Sequence, residues 1–223
     1  MIPVIGMLHY KIPDVTQDAI DSIPEGKAER FVIVDNSPEA SSPHRHDIHM
    51  IRLRANMGVA HGWNTIIKAT PQAEWWFILN NDVVLKEENF RHMEEAIQHH
   101  DLVLMGGYHA FGIRRSALRR IGWFDENFHP AYCEDNDYTW RAQQAGLKIT
   151  QVPSPRHIGS VTIQRDRASR ERNDVTFVEN VSYYHAKWGG HMHAEVHKTP
   201  FNSGGSLAIK EPDIDRLASQ RWG

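Results

Sequence analysis

The chain has 223 residues, enough for one large domain with a substantial core. Apolar residues make up 40% and charged residues 24%, which excludes a wholly disordered, collagen-like or coiled-coil protein. The formal charge of -3 argues against a general attraction to nucleic acid or anionic membranes. A single cysteine, Cys133, excludes an intrachain disulfide framework and points to a reducing compartment.

No stretch is long and apolar enough to span a bilayer, and Met1 to Gly6 lacks the basic flank and apolar core of a signal peptide. The cytoplasm is the expected location. Short apolar runs alternate with helical patterns through the first half, which predicts an α/β fold with a mostly parallel central sheet. Ile2 to Leu8 reads as a strand and Asp14 to Ile23 as a helix, with Val15, Ala19 and Ile23 on one face. Phe31 to Val34 is a fully apolar strand that ends at Asp35. Ser37 to Asp47, rich in Ser, Pro and His, reads as a loop. Ile48 to Leu53 is the next strand, Val59 to Ala69 a helix, and Trp75 to Leu79 a strand running straight into Asn80-Asn81-Asp82. Glu87 to His99 follows as a helix and Leu102 to Met105 as a strand.

The second half is less regular. Ser116 to Ile121 predicts a short helix, Glu134 to Ala145 a longer one closed by Gly146, and Lys148 to Val152 a strand before a Pro-containing segment reaching His157. The crowded charges from Arg165 to Asp174 read as a solvated linker or mobile loop that could order over a ligand, and Glu171 to Lys187 as a helix. The tail after Gly190 reads as irregular.

Chemistry concentrates at the ends of strands, where open α/β sheets gather ligands. Asp35 could accept hydrogen bonds from a base or ribose, or stabilise its own turn. Asn56 to Asn64 holds glycines where a loop becomes a helix, but matches neither a Walker loop nor a dinucleotide fingerprint, so taken alone tight packing is the better explanation. Asp82 after the strongest strand suits a hard cation such as Mg²⁺ or Mn²⁺, against the plain alternative of an Asn/Asp turn. Glu134 and Asp135 open a helix, where the dipole favours carboxylates. One of them could instead be a general base raised by burial, and the two influences oppose each other. His157 could ligate a metal shared with Asp82. The groups His44, His46, His49 and His191, His193, His197 read as surface.

The order of these signals resembles family-2 glycosyltransferases of the GT-A fold. It runs from Asp35 through Asn56-x-Gly58-x-Ala60-x-Gly62-x-Asn64, Asn80-Asn81-Asp82 and Gly122-Trp123-Phe124-Asp125-Glu126 to Glu134-Asp135-x-Asp137 and His157. The rhamnosyltransferase-like subgroup is the most similar, and the Tyr183-Tyr184, Lys187 to Gly190 and Pro200 to Asn202 segments resemble small, in part phage-borne, members. The resemblance implies an inverting transfer from a UDP- or dTDP-sugar to an acceptor hydroxyl on a glycan, lipid-linked sugar or protein. On its mapping, Tyr10, Asp35, Asn56, Asn64, Asn81 and Asp82 serve the donor. Asp82 and His157 hold a divalent metal, Asp135 is the base, and Glu134 and Trp123 shape the acceptor pocket. It further implies one domain, with residues 1–106 the nucleotide-binding half, 107–190 the acceptor and catalytic half, and 191–223 an irregular tail. Asn80 departs from the pattern, standing where the strict metal motif has its first Asp, which leaves the metal requirement open. Two other readings remain. One is a non-catalytic nucleotide-sugar or carbohydrate-binding module. The other is a sugar-1-phosphate nucleotidyltransferase, disfavoured because His9 to Pro13 has no glycine.

Overall fold

Seven strands form one sheet in a computed structural model that describes residues 1–37, 43–159 and 161–220. The loop read over Ser37 to Asp47 therefore lies partly outside the described residues, as does Ser160. In chain order the elements are β1 (Ile2–His9), α1 (Pro13–Asp21), β2 (Ala28–Asp35), β3 (Ile48–Arg52), α2 (Val59–Ala69) and β4 (Trp75–Asn80). Then come β5 (Val83–Val84), α3 (Glu87–Ala96), β6 (Leu102–Met105), β7 (Ala110–Arg114), α4 (Arg115–Ile121) and α5 (Glu134–Gln144). The chain ends with β8 (Ile149–Val152), β9 (Arg156–His157), α6 (Val161–Arg165), α7 (Arg167–Trp188), a 3₁₀ turn (Pro200–Asn202) and α8 (Ile214–Ser219).

The sheet order is β3-β2-β1-β4-β7-β6-β8. The first four strands are mutually parallel, β7 is antiparallel to both β4 and β6, and β8 returns parallel to β6. Strands buried on both faces read as continuous apolar runs because each face has its own core. Val4, Leu8, Val32, Val34, Trp76 and Ile78 pack with Trp63, Ile66 and Ile67 of α2 on one side. Ile5, Met7, Phe31, Ile33, Phe77 and Leu79 pack with Ala19, Ile20, Phe90 and Met93 of α1 and α3 on the other. Close approach of α2 to β1 depends on Gly62, where a Cβ would stand 2.3 Å from a methyl of Leu8. That supports the packing reading of this glycine.

The structure corrects two expectations. The charge run Arg165 to Asp174 is not a loop but the end of α6 and the first eight residues of α7, and several of its charges find partners. Arg165 pairs with Asp14 at 2.8 Å, Asp166 with Lys11, and Arg167 with Glu171 at 2.7 Å. The tail after Gly190 is not wholly irregular either. Ile209 exchanges backbone hydrogen bonds with Ile121 (3.1 Å) and Trp123 (2.7 Å), and Ile214 of α8 enters the core. Gly122 makes that docking possible: its φ is +71°, and a Cβ there would lie 1.8 Å from the Ile209 carbonyl oxygen.

Candidate active site

A cavity of about 450 Å³ opens at the carboxyl ends of β1, β2 and β4. It is lined by Tyr10, Asn36 and Asn56, by Asn81, Asp82, His109 and His157, and by Tyr132, Glu134 and Asp135. Ser169, Arg172 and Asn173 of α7 complete the enclosure.

Each wall has a local cause. β1 ends next to a chain of contacts that fixes Asn81: His9 Nδ1 meets Thr16 Oγ1 at 2.7 Å, and Asn81 Nδ2 donates to the same hydroxyl at 2.8 Å. Asn36, just past the end of β2, donates to the Gly58 carbonyl (3.1 Å) and accepts from Met57 N–H (2.9 Å), tying the loop that carries Asn56 to the sheet. Asp82 and His157 are far apart in sequence. The short antiparallel pair β5–β9, with Val83 opposite His157, brings His157 Nε2 to 3.3 Å from an oxygen of buried Asp82. The His157 ring stacks on His109, centroids 4.2 Å apart and planes 6° from parallel. Burial, then the neighbouring His157, hold the His109 imidazole below its ordinary range.

Tyr132 and Cys133 both adopt left-handed backbone, with φ of +78° and +73°. Two consecutive non-glycine residues in this region are unusual, and such strain persists only where surroundings enforce it. Asn180 of α7 does so. It accepts from His129 N–H (3.3 Å) and donates to the carbonyls of Ala131 (2.7 Å) and Tyr132 (3.2 Å). The turn delivers Glu134 and Asp135 to the cavity wall at the start of α5. Burial pushes both carboxyls up, Glu134 well above the usual carboxylate range with the charge of Asp135 adding to it. For Asp135 the hydrogen bond from Asn136 N–H, at 2.8 Å, works the other way without reversing the result. Glu134 Oε2 is buried with no hydrogen-bond partner among the described residues.

Three residues expected at the site stand outside the cavity lining. Asn64 is buried and clamps the chain at Phe124, accepting from its N–H (3.0 Å) and donating to its carbonyl (2.9 Å). Trp123 is buried under the tail, its indole N–H on the Pro212 carbonyl at 2.7 Å. Asp35 is buried below the rim, accepting from Ser37 N–H at 2.8 Å, and its neighbour Asn36 reaches the cavity instead. Sequence reasoning missed Asn36, His109, Asn180 and the cavity-facing residues of α7. Asp125 and Asp137 are scaffold through contacts distant in sequence: both lie 2.6 Å from Lys187 Nζ, and Arg141 Nε donates to Asp137 at 2.8 Å.

The sheet, with its parallel half and antiparallel β7, is the GT-A fold seen in glycosyltransferases of known structure. Residues 1–349 of TarS from S. aureus match with a TM-score of 0.54 at 15% identity, over 70% of this chain and 59% of that one, and TarS is also known with UDP and with UDP-GlcNAc. Glucosyl-3-phosphoglycerate synthase from Mycobacterium tuberculosis, in complex with Mn²⁺, UDP and phosphoglyceric acid, matches at 0.53 and 11% identity, covering 80% of this chain and 78% of that one. By sequence, a galactofuranosyl glycosyltransferase of Leishmania donovani is 26% identical over 120 residues, 44% of this chain. The chain spans only 28% of that relative's length and 59% of the TarS chain. No family model matches. Among the described residues, no helix is long and apolar enough to cross a membrane.

Proposed function

We propose that the protein is an inverting glycosyltransferase that moves a sugar from a UDP- or dTDP-sugar to an acceptor hydroxyl. The observation that carries this reading is that Asp82 and Asp135, from separate elements, line one cavity under a GT-A sheet. Tyr10, Asn36, Asn56 and Asn81 hold the nucleotide end. Asp135 takes the acceptor's proton as the acceptor oxygen attacks the anomeric carbon from one face. The bond to the diphosphate breaks on the opposite face, its electron pair leaving with the diphosphate, so the centre inverts. Burial favours the protonated form of Glu134, in which it can donate a hydrogen bond to the bound sugar or acceptor.

The TarS and glucosyl-3-phosphoglycerate synthase structures, with UDP, UDP-GlcNAc or Mn²⁺ bound, support the choice of donor and of a divalent ion. Asp82 and His157 suit such an ion, because a carboxylate oxygen and a ring nitrogen 3.3 Å apart are close enough to share one cation. Among the described residues no third His, Cys, Asp or Glu joins them, which leaves the other positions to substrate phosphates and water. Held there, Mn²⁺ or Mg²⁺ would supply positive charge for the departing diphosphate. The membership in a rhamnosyltransferase-like subgroup rests on motif order alone.

The test is a panel of nucleotide-sugars with Mn²⁺ and the purified chain, scored by release of free nucleotide diphosphate. Release from one donor, accelerated by an acceptor, supports the reading, and none from any donor contradicts it. Asn80 in place of an acid favours a second reading, a binding module without turnover. Tight nucleotide-sugar binding with no hydrolysis, even without acceptor, would select it.

A further inference from the structure

Arg172 is the only arginine or lysine among the described residues lining the cavity. The basic side chains around it are all engaged. Arg165 meets Asp14, Arg167 meets Glu171, Lys11 meets Asp166, and Arg170 donates to the Gln164 carbonyl at 3.1 Å. The Arg172 guanidinium has no such partner among the described residues, and none of the cavity acids Asp82, Glu134 and Asp135 pairs with it. Its place on α7 is defined at both ends. Asp166, before the helix, is tied to Lys11 next to Tyr10, at the nucleotide end. Further along, Phe177 packs edge-on against Tyr132, ring centroids 5.5 Å apart, at the Asp135 wall. Arg172 lies on the helix between those two anchors.

We infer that Arg172 binds the diphosphate of the nucleotide donor. The inference rests on the donor reading above and deepens it. A guanidinium is always charged and presents paired N–H donors that match phosphate oxygens. The cavity is poor in metal ligands: among the described residues no third His, Cys, Asp or Glu joins Asp82 and His157. A fixed cation on α7 therefore carries part of the phosphate charge that a fuller metal site would carry, and donor binding persists in part without metal. Left free, the side chain is solvated and costs the fold nothing.

Titration calorimetry of UDP, with dTDP in parallel, against wild type, Arg172→Gln and Arg167→Gln tests this, first in EDTA and then in Mn²⁺. Arg167 shares the helix but does not line the cavity. Wild type should bind one nucleotide in EDTA, more tightly with Mn²⁺. Arg172→Gln should weaken EDTA binding about tenfold, the scale of a hydrogen bond to a charged group, and flatten its salt dependence. Arg167→Gln should match wild type. Wild-type affinity in Arg172→Gln, with a defect only when acceptor is present, would move the guanidinium to an anionic acceptor and overturn the inference. Failure of wild type to bind either nucleotide, with or without Mn²⁺, would overturn the donor reading itself and the inference with it.

Discussion

Replacing Lys187 by Met removes one charge from a buried network and keeps the packing of the aliphatic stem. The Lys187 ammonium lies 2.6 Å from carboxylate oxygens of both Asp125 and Asp137, and Arg141 holds the second oxygen of Asp137 at 2.8 Å. The side chains of all four are at most 5% exposed, so two cations balance two anions almost without water. Removing one partner of a buried pair costs about 3–5 kcal/mol, because the remaining charge is stranded. For a chain of this size that is a fall in Tm of roughly 10 °C. The pH dependence has a defined sign. Burial pushes the Asp125 carboxyl up, but the charge and hydrogen bond of Lys187, with the hydrogen bonds of Asn127, hold it below the usual range. A depressed carboxylate stabilises the fold above its unfolded pKa of about 3.9, and that contribution is lost as pH falls through the folded value. In Lys187→Met the contribution is gone, and protonation of the stranded aspartates relieves the core. The deficit should therefore be largest at pH 7 and shrink toward pH 4. Urea unfolding at both pH values, followed by tryptophan fluorescence, measures it. A deficit below about 1 kcal/mol at pH 7, or an equal deficit at both, would refute the reasoning.

Glu134→Gln should be more stable than wild type at pH 8, with the gap closing toward pH 4. A carboxyl raised by burial stabilises the fold only below its unfolded pKa of about 4.3 and loses that stability as pH rises through the folded value. Thermal melts across this range decide it, and a Gln variant no more stable at pH 8 would mean that Glu134 ionises freely. Gly122→Ala should cost more than about 2 kcal/mol in urea unfolding, since the new methyl would collide with Ile209 in a left-handed backbone, and an unchanged midpoint would contradict tail docking. Asp82→Ala should abolish the gain in UDP affinity brought by Mn²⁺ while leaving EDTA affinity near wild type. A full Mn²⁺ response in that variant would remove Asp82 from the site.

The apolar strands were readable because burial on both faces turns them into unbroken runs, as in Phe31 to Val34 and Trp75 to Leu79. Asn80 to Asp82 and Glu134-Asp135 were readable as abrupt polar ends of such elements. What stayed hidden depends on partners distant in the chain. β7 is short and contains Gly112, and its antiparallel partners β4 and β6 supply the pairing that makes it a strand. The run Arg165 to Asp174 looks like a solvated loop until Asp14 and Lys11, from the start of the chain, pair with Arg165 and Asp166 at the junction of α6 and α7. Asn64 and Trp123 sit in motifs that suggest ligand contact, yet their polar atoms are used up by Phe124 and Pro212. Whether Asp135 behaves as a helix-terminus acid or a raised one turns on its burial, which no local pattern encodes.

Asp135→Asn measured side by side with wild type, for nucleotide-diphosphate binding and for sugar transfer, tests most directly that one cavity joins a donor site to a proton acceptor. The Asn variant should bind UDP or dTDP as wild type does and lose transfer by a factor of about 10² or more. Transfer at the wild-type rate would contradict the account, and so would loss of nucleotide binding together with transfer.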